Sequence, residues 1–555
     1  MTDQDLWQVL VKLTLAIPGI IGVIGFLLVI LTARGQSQAV KRASRSLACL
    51  TIGGALLSLC ISIGLVWLYL PDTKRYVDFS LRLIWRLDIH IDALSLFFLL
   101  LVNVVSLLAS LSSWHTVEDT SRRNRKRETD DEGNDEKNSP ANVLQTAVFF
   151  HFSVNMFHFT MVLVALVDNL VWLWIAIELT TLFSALTVGY HRLRSNWEAA
   201  WKYLIITSTG IILALLGTMF LANAVTALLH SSDANIQAVM RQAVDANGNP
   251  QDMIMNWTFL MTLARQGGFM EGSVRFFVVL SFLFIVVGYG TKAGLAPMHT
   301  WLPDGHGEAP APMSALLSGV LLKAAFYGIL RFYTLTNAAI GESGFTSAAL
   351  VVAGLFSLSG AVPFILKENP FKRVLAYHSL EHMGIIVLGV GLAGLLGSGL
   401  SQAKPGEQDG ILAVAAITMF GALLHSFNHA ITKSLMFLAY GNVTHAYGLP
   451  KSGVEAKNEP TGILRNMPLT GGILILGGLA LVGMPPFNIF MSEFIIVWGA
   501  LQALLLGIFP SMLDWRALLT MFAIGIFIAA SNGFCGHCGQ PPREAEIRRL
   551  WSQSS

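Results

Sequence analysis

Charge is scarce in this chain. Asp, Glu, Lys and Arg make up 13% of its 555 residues, while 54% are hydrophobic. An ordinary soluble domain carries about 25% charged residues, and the mean hydropathy here is +0.60. A chain with so few charges cannot cover a water-facing surface of that extent, so a polytopic membrane protein is expected. The formal net charge is only +2, and no basic stretch interleaved with aromatics argues for a nucleic-acid partner. Cysteine is scarce too. Cys49 and Cys60 lie in an apolar run and read as core filler. Cys535 and Cys538 form CGHC around His537, fewer ligands than the four a structural zinc takes, so an incidental tail motif is the simpler reading. No haem or iron–sulfur pattern occurs. Nucleophile elbow, phosphate loop, dinucleotide fingerprint and metal-ligand set are likewise missing. The chain is therefore expected to hold no cofactor and no redox or hydrolytic site of its own. The acidic start, MTDQDLWQVLVK, lacks a signal-peptide cleavage pattern, so the first helix is expected to remain in the mature protein.

What the chain has in abundance is long apolar runs. A transmembrane helix needs roughly 20 mostly apolar residues, and about thirteen candidate spans meet that length. They lie near 10–33, 47–70, 91–113, 144–166, 168–190, 199–227, 274–303, 309–334, 343–366, 374–397, 410–440, 467–507 and 510–531. The seventh and twelfth are too long or too interrupted for one straight helix. The seventh runs from VRFFVVLSFLFIVVGYG (274–290) into TKAGLAPMHTWLPDGHGEAPAP (291–312), where Gly294, Pro297 and Pro303 break it. The twelfth contains GMPPFNIFMSEF (483–494), split by Pro485 and Pro486. Paired broken helices in corresponding positions point to an inverted repeat with a transport site between its halves. The expected fold is thus an all-α polytopic membrane protein with about thirteen transmembrane helices, two inverted five-helix repeats and broken seventh and twelfth helices.

The corresponding division is N-terminal transmembrane helices over 1–113, a charged cytoplasmic loop over 114–143, a first repeat over 144–334, a second over 343–531 and a tail over 532–555. The loop holds RRNRKR (122–127) among acidic residues and reads as solvated and mobile. Lys and Arg are in excess in alternate loops. The loop at 34–46, the charged loop, 192–202, 367–373, 451–465 and the tail all fall on that side. By the positive-inside rule this side is cytoplasmic. The N-terminus is then outside, the tail inside, and the 228–273 loop external, in what is expected to be a bacterial inner membrane.

Against this apolar background the few charged residues inside spans stand out. An ammonium at mid-membrane costs about 2.5–3.5 kcal/mol on insertion scales, and such residues are functional hypotheses by default. Glu178 sits in LVWLWIAIELTTLFSAL and Lys292 beside the first break. Burial disfavours an ammonium ion and a nearby carboxylate restores it, so a Glu178–Lys292 pair that opens and closes is a protonation switch. A static ion pair is the bland alternative. Lys323 lies deep in SALLSGVLLKAAFYGILRF. His425, His429 and Lys433, in LLHSFNHAITKSLMF, are spaced i, i+4, i+8 on one helical face. Histidine titrates near neutral pH, so this trio reads as a relay. His378, Glu381 and His382 repeat the spacing nearer a helix end, where relay and core packing are equally good readings. Glu493 follows the second break as the counterpart of Lys292. Asp304, His306 and Glu308 follow the first break, where they read either as a proton entry or as a solvated turn. The main path expected is Glu178, Lys292, Lys323, His425, His429, Lys433 and Glu493, carrying protons or cations without making bonds.

Several blocks resemble a known family: WLWIAIELTTLFSALTVGYHR, EAAWKYLIITSTGIILALLGT, GTKAGLAPMHTWLPDGHGEAPAPMSALLSGVLLKAAFYGILR, LAYHSLEHMG, HSFNHAITKSLMFLAYGNV and GMPPFNIFMSEF. These are similar to the antiporter-like subunits of respiratory complex I, of Mrp-type Na+/H+ antiporters and of membrane-bound hydrogenases, over roughly residues 90–510. The HGEAPAPMSALLSGVLL wording is most like the F component of hydrogenase-4. The resemblance implies a proton path through a fifth-helix Glu, seventh- and eighth-helix Lys, an eleventh-helix His/Lys cluster and a twelfth-helix acid or Lys. These map onto Glu178, Lys292, Lys323, His425, His429, Lys433 and Glu493. It also implies partners, namely other membrane and peripheral subunits of a larger oxidoreductase complex. Many members have a fourteenth helix and some a lateral helix, and neither is read here. Some relatives instead pair with a large soluble zinc protein in inorganic carbon (bicarbonate or CO2) uptake, which stands as the alternative.

Overall fold

The computed structural model describes residues 3–32, 37–71, 76–82, 86–127, 140–191, 194–241, 252–270, 272–367, 370–401, 406–447 and 462–505. It is almost entirely helical. In chain order come α1 (Asp3–Thr32), α2 (Ser37–Tyr69), a hairpin of β1 (Val77–Arg82) and β2 (Arg86–Ile91), α3 (Ala93–Arg127), α4 (Pro140–Leu166), α5 (Leu170–Val188) and α6 (Arg194–Ala227). Short α7 (Ala234–Met240) and α8 (Trp257–Arg265) precede α9 (Gly272–Ala293), α10 (Trp301–Glu308) and α11 (Ala311–Leu316). After a π-helical turn at Leu317–Leu321 come α12 (Leu322–Ile340), α13 (Gly344–Leu366), α14 (Phe371–Ser398) and α15 (Gln408–Ala446). Then follow α16 (Ile463–Asn466), α17 (Pro468–Leu481) and α18 (Asn488–Leu505).

Among the described residues, eleven helical segments are long and apolar enough to cross a membrane. They coincide with the first eleven runs read from the sequence. The twelfth run is two shorter apolar helices, α17 and α18, on either side of the break. The thirteenth run, 510–531, and the CGHC motif lie outside the described residues.

Both breaks are built the same way. Gly294 adopts φ +78° and Gly483 φ +68°, a left-handed conformation that glycine enters without steric penalty. The amide of Leu295 donates to the Gly290 carbonyl (2.8 Å), and that of Met484 to the Leu479 carbonyl (3.1 Å). This i to i−5 bond closes a helix end and satisfies carbonyls the stopped helix would orphan. An X–Pro peptide in the cis form follows each glycine, at Ala296–Pro297 and Pro485–Pro486.

Three expectations are corrected. The fold is not purely α. Strands β1 and β2 pair antiparallel, from Val77 opposite Ile91 to Arg82 opposite Arg86. Two strands of six residues each are too short a signal against the neighbouring apolar runs. The charged stretch after the third span is not loop throughout, because α3 continues to Arg127. Cys49 and Cys60 are exposed on α2 rather than buried. In a membrane protein the outer surface faces lipid, so apolar character does not distinguish core from exterior.

Close helix contacts rest on small residues. A Cβ on Gly354 of α13 would meet the Gly384 carbonyl and the Leu388 amide of α14, each at 2.7 Å. One on Gly288 of α9 would meet the Ala214 amide of α6 at 2.5 Å. Helices in lipid gain nothing from hydrophobic exclusion and associate through such backbone-to-backbone packing.

Candidate functional site

Asn169 starts α5. Its side-chain oxygen accepts from the Val171 and Trp172 amides, anchoring the helix so that Glu178 falls two turns in. Glu178 and Lys292 do not form an ion pair among the described residues. They are joined through a hydroxyl instead. Thr181 Oγ1 donates to Glu178 Oε2 (3.1 Å) and accepts from Lys292 Nζ. Lys292 also reaches Tyr203 Oη at 3.3 Å and lies 5.5 Å from the centre of that ring. Ser208 Oγ donates to Glu178 Oε1 at 2.7 Å. Lys292 is wholly buried, and the first break ends its helix one residue further on, at Ala293.

A second group lies along α12, α14, α15 and α18. Lys323 Nζ donates to the Ser318 carbonyl (2.7 Å) and to His429 Nδ1 (2.6 Å). Ser318 lies in the π-helical turn. The His429 ring stands 4.8 Å from that of His382 and the His425 ring 5.1 Å from it. His382 Nδ1 is 3.0 Å from His425 Nε2 and 3.8 Å from Glu493 Oε1. Its Nε2 donates to the Leu481 carbonyl at 3.1 Å, a group exposed by the second break. His425 Nδ1 meets Ser492 Oγ at 3.0 Å. Glu493 packs its carboxylate against Gly483, where any side chain would collide with it. Lys433 Nζ donates to the Leu375 carbonyl of α14 at 2.5 Å. His378 Nδ1 contacts Glu381 Oε2 at 2.9 Å. The relay on α15 is thus not self-contained. His382, read from sequence only as an accessory candidate, is the hub joining His425, His429 and Glu493.

The reading of Asp304, His306 and Glu308 as a solvated turn is corrected. They form α10, and His306 and Glu308 are buried. Ser195 Oγ and Asn196 Nδ2 both donate to Glu308 Oε2, at 3.2 and 3.1 Å. Asp304 pairs with Arg373 at 2.6 Å. The His306 ring lies 6.1 Å from Trp301 and 5.7 Å from Phe437, and Trp301 packs on Tyr203. His306 therefore stands between the Lys292 group and α15. Its ring interacts with the Leu302 backbone and has no other polar partner among the described residues.

At the opposite end of the helices lies a network that no sequence motif announced. Arg331 makes two parallel bonds to Asp92, at 2.7 and 2.8 Å, and stacks 4.5 Å from Trp257. His90 contacts Asp78 at 2.6 Å across the hairpin. Burial opposes charge on the His90 ring, but hydrogen bonds to Asp78 and Asp92 outweigh it and raise its pKa to about 9. Asn256 Nδ2 donates to Asp88 Oδ2 at 2.9 Å, and Thr258 Oγ1 to Asp168 Oδ2 at 2.5 Å. Hairpin, α4–α5 turn and α8 are thereby tied into one end cap.

Thr181, Ser208, Tyr203, Ser318, Ser492 and Asn428 were missed from the sequence. Only Thr181, one turn after Glu178, carried a local signal. The others come from different helices.

Residues 167–402 and 409–512 match the family described as NADH:quinone oxidoreductase/Mrp antiporter, TM. The match takes in more than half of the chain, and the protein belongs to that family. It is 34% identical over 354 residues to a hydrogenase-4 component F homolog of Methylacidiphilum infernorum, covering 63% of each chain. It is 28% identical over 421 residues to hydrogenase-4 component B of Escherichia coli, covering 75% of this chain and 51% of that one. NADH-quinone oxidoreductase subunit N of Desulforudis audaxviator is 32% identical over 275 residues, 48% of each chain. The chain thus spans between 48% and 63% of the length of these curated relatives. Among solved structures, the Mrp complex from a Dietzia species contains a chain aligned with TM-score 0.64 at 16% identity, covering 98% of this chain and 82% of that one. An archaeal membrane-bound sulfane sulfur reductase contains another, with TM-score 0.61 at 19% identity, covering 98% and 92%. At such identities the likeness is one of fold.

Proposed function

We propose that this chain is the proton- or cation-translocating subunit of a hydrogenase or complex I-like oxidoreductase complex, with redox chemistry in partner subunits driving ion movement through it. The observation that carries the proposal is a line of titratable groups: Lys292, Lys323, His429, His382 and His425, all buried, between the partly buried Glu178 and Glu493, with Thr181 bridging Glu178 to Lys292. A buried polar chain of this extent has no packing advantage over apolar residues, and ionisable groups inside a membrane mark ion paths.

The mechanism begins at the Thr181 bridge. With Lys292 on the hydroxyl rather than on Glu178, the switch is in its separated arrangement. Rotation of Lys292 onto Glu178 favours its charged form, and withdrawal favours release of the proton. The proton then passes toward Lys323, with His306 and water spanning the interval. From Lys323 it reaches His429, crosses the neighbouring, tilted rings of His382 and His425 and leaves by Glu493. Lys433 is held on the Leu375 carbonyl beside the relay.

The two inverted repeats, 144–334 and 343–531, belong to the same proposal. The matched glycine-terminated breaks after α9 and α17 support them, each beside a charged path residue. The proposed orientation places the N-terminus outside and the tail in the cytoplasm of a bacterial inner membrane. The end cap of hairpin and α8 would then be external. The named relatives give the carbon-uptake alternative no support.

The test is ion movement in vesicles holding the whole complex. Glu178→Gln and Lys292→Ala are each expected to reduce substrate-driven translocation more than tenfold while the complex still assembles. Full translocation by either assembled variant would overturn the proposal.

A further inference from the structure

The point where α14, α15 and α18 meet carries a feature the relay does not explain. His382 Nε2 faces the Leu481 carbonyl at 3.1 Å. A carbonyl only accepts, so Nε2 holds the hydrogen, and Nδ1 of the neutral ring presents a lone pair. Ser492 Oγ donates to the Ile489 carbonyl at 2.8 Å and accepts from Asn428 Nδ2 at 3.3 Å. His425 Nδ1, 3.0 Å from the same oxygen, then donates to it, and His425 Nε2 also presents a lone pair. The reverse arrangement, with Ser492 donating to the ring, forfeits the Ile489 bond. Two lone pairs therefore face each other at 3.0 Å, with Glu493 Oε1 3.8 Å from one of them. A cation between its members satisfies such a set.

A proton is one such cation, and we propose that a divalent transition metal of the Zn2+ class is another. The structure assigns the site to His382 Nδ1, His425 Nε2 and Glu493, whose ligand atoms all lie within 4.8 Å of one another. Ligand distances of about 2.0–2.2 Å around tetrahedral zinc separate neighbouring ligand atoms by about 3.4 Å, and the observed 3.0 and 3.8 Å straddle that spacing. Two histidines and one carboxylate leave a fourth position for water. Each ring donates its other N–H to a fixed oxygen, the outer-shell arrangement that orients metal-bound imidazoles. The Glu493 side chain is 12% exposed, the least enclosed of the three. The neighbouring set of His378, Glu381 and His382 is also close enough for a metal, but His378 and Glu381 already satisfy each other at 2.9 Å. The consequence rests on the translocation reading above: metal here displaces the relayed proton and blocks the path. Binding itself does not depend on that reading.

The test is a Co2+ titration of the purified, chelator-stripped complex, followed by Zn2+ displacement. The CGHC tail is removed as a competitor by Cys535→Ser and Cys538→Ser. One Co2+ per chain is expected, with the intense visible bands of a tetrahedral site and no thiolate charge transfer. His425→Gln and the near-isosteric Glu493→Gln should each weaken binding at least tenfold, while His378→Asn leaves it unchanged. Monodisperse elution of each variant establishes that it folds. Absence of a non-thiolate site overturns the proposal, as does binding lost in His378→Asn but retained in His425→Gln and Glu493→Gln. Zn2+ should also inhibit ion movement in vesicles. Metal binding in a complex that moves no ions would remove the transport reading and leave the site standing. Ion movement without metal binding would do the reverse.

Discussion

At the scale of single residues, Thr181 holds the two ends of a switch. Its hydroxyl donates to Glu178 and accepts from Lys292. Hydrogen bonds to charged groups contribute about 1.5–3 kcal/mol each. Thr181→Val keeps the shape and removes both, so translocation is expected to slow by roughly tenfold or more. Assembly should be unchanged, which gel filtration of the complex checks. An unaltered rate would show that Lys292 reaches Glu178 without the bridge. The presence of Lys292, Lys323 and Glu178 as exceptional residues was legible because charge inside apolar sequence is expensive. Their connection was not. The spacing within α15 put His425, His429 and Lys433 on one face, yet His429 bonds to Lys323 and His425 faces His382. Partners on other helices have no signature in local spacing.

At the scale of elements, the glycines decide how close the helices come. Gly354 and Gly384 bring α13 and α14 into backbone contact. Overpacking a well-filled contact typically costs about 1–3 kcal/mol. Gly354→Val is expected to lower the melting temperature of the detergent-solubilised protein by several degrees. Gly53→Ala on α2, where nothing lies within 4 Å of the added carbon, should leave it unchanged or raise it slightly, since alanine favours helix. Equal effects from the two would show that the α13–α14 contact is looser than described. Helix positions were readable from the length of apolar runs, and the breaks from their Gly and Pro. The hairpin and the burial of α10 were not. Both depend on what packs above them, and DGHGE read alone is a solvated turn.

For the whole molecule, the end cap links hairpin, turns and helices far apart in sequence, and it titrates. His90 in the folded protein has its pKa raised to about 9, against about 6.5 in an unfolded chain. A group with a raised folded pKa stabilises fully below its unfolded pKa, and that contribution is lost as pH rises through the folded value. The His90–Asp78 contribution should therefore be complete near pH 6 and decline to nothing above about pH 9. Melting temperatures of the wild type and of His90→Gln are expected to converge across that interval. A constant difference would mean that His90 is not charged in the cap. In the cell, a mild-detergent pull-down is expected to recover hydrogenase or iron–sulfur and quinone-site subunits. A single large soluble zinc protein in their place would reinstate the carbon-uptake reading.

The sequence by itself determined that this chain lives in a membrane, where eleven of its spans run, where two runs break and which residues are out of place there. Those conclusions follow from local composition, because insertion in lipid is judged segment by segment. The tertiary structure alone decided that Thr181 stands between Glu178 and Lys292, that His382 joins three helices, and that Arg331 and His90 fasten one end. They depend on contacts such as Thr181 to Lys292, His382 to His425 and Arg331 to Asp92, from about forty to more than two hundred positions apart, which packing sets and local pattern does not encode.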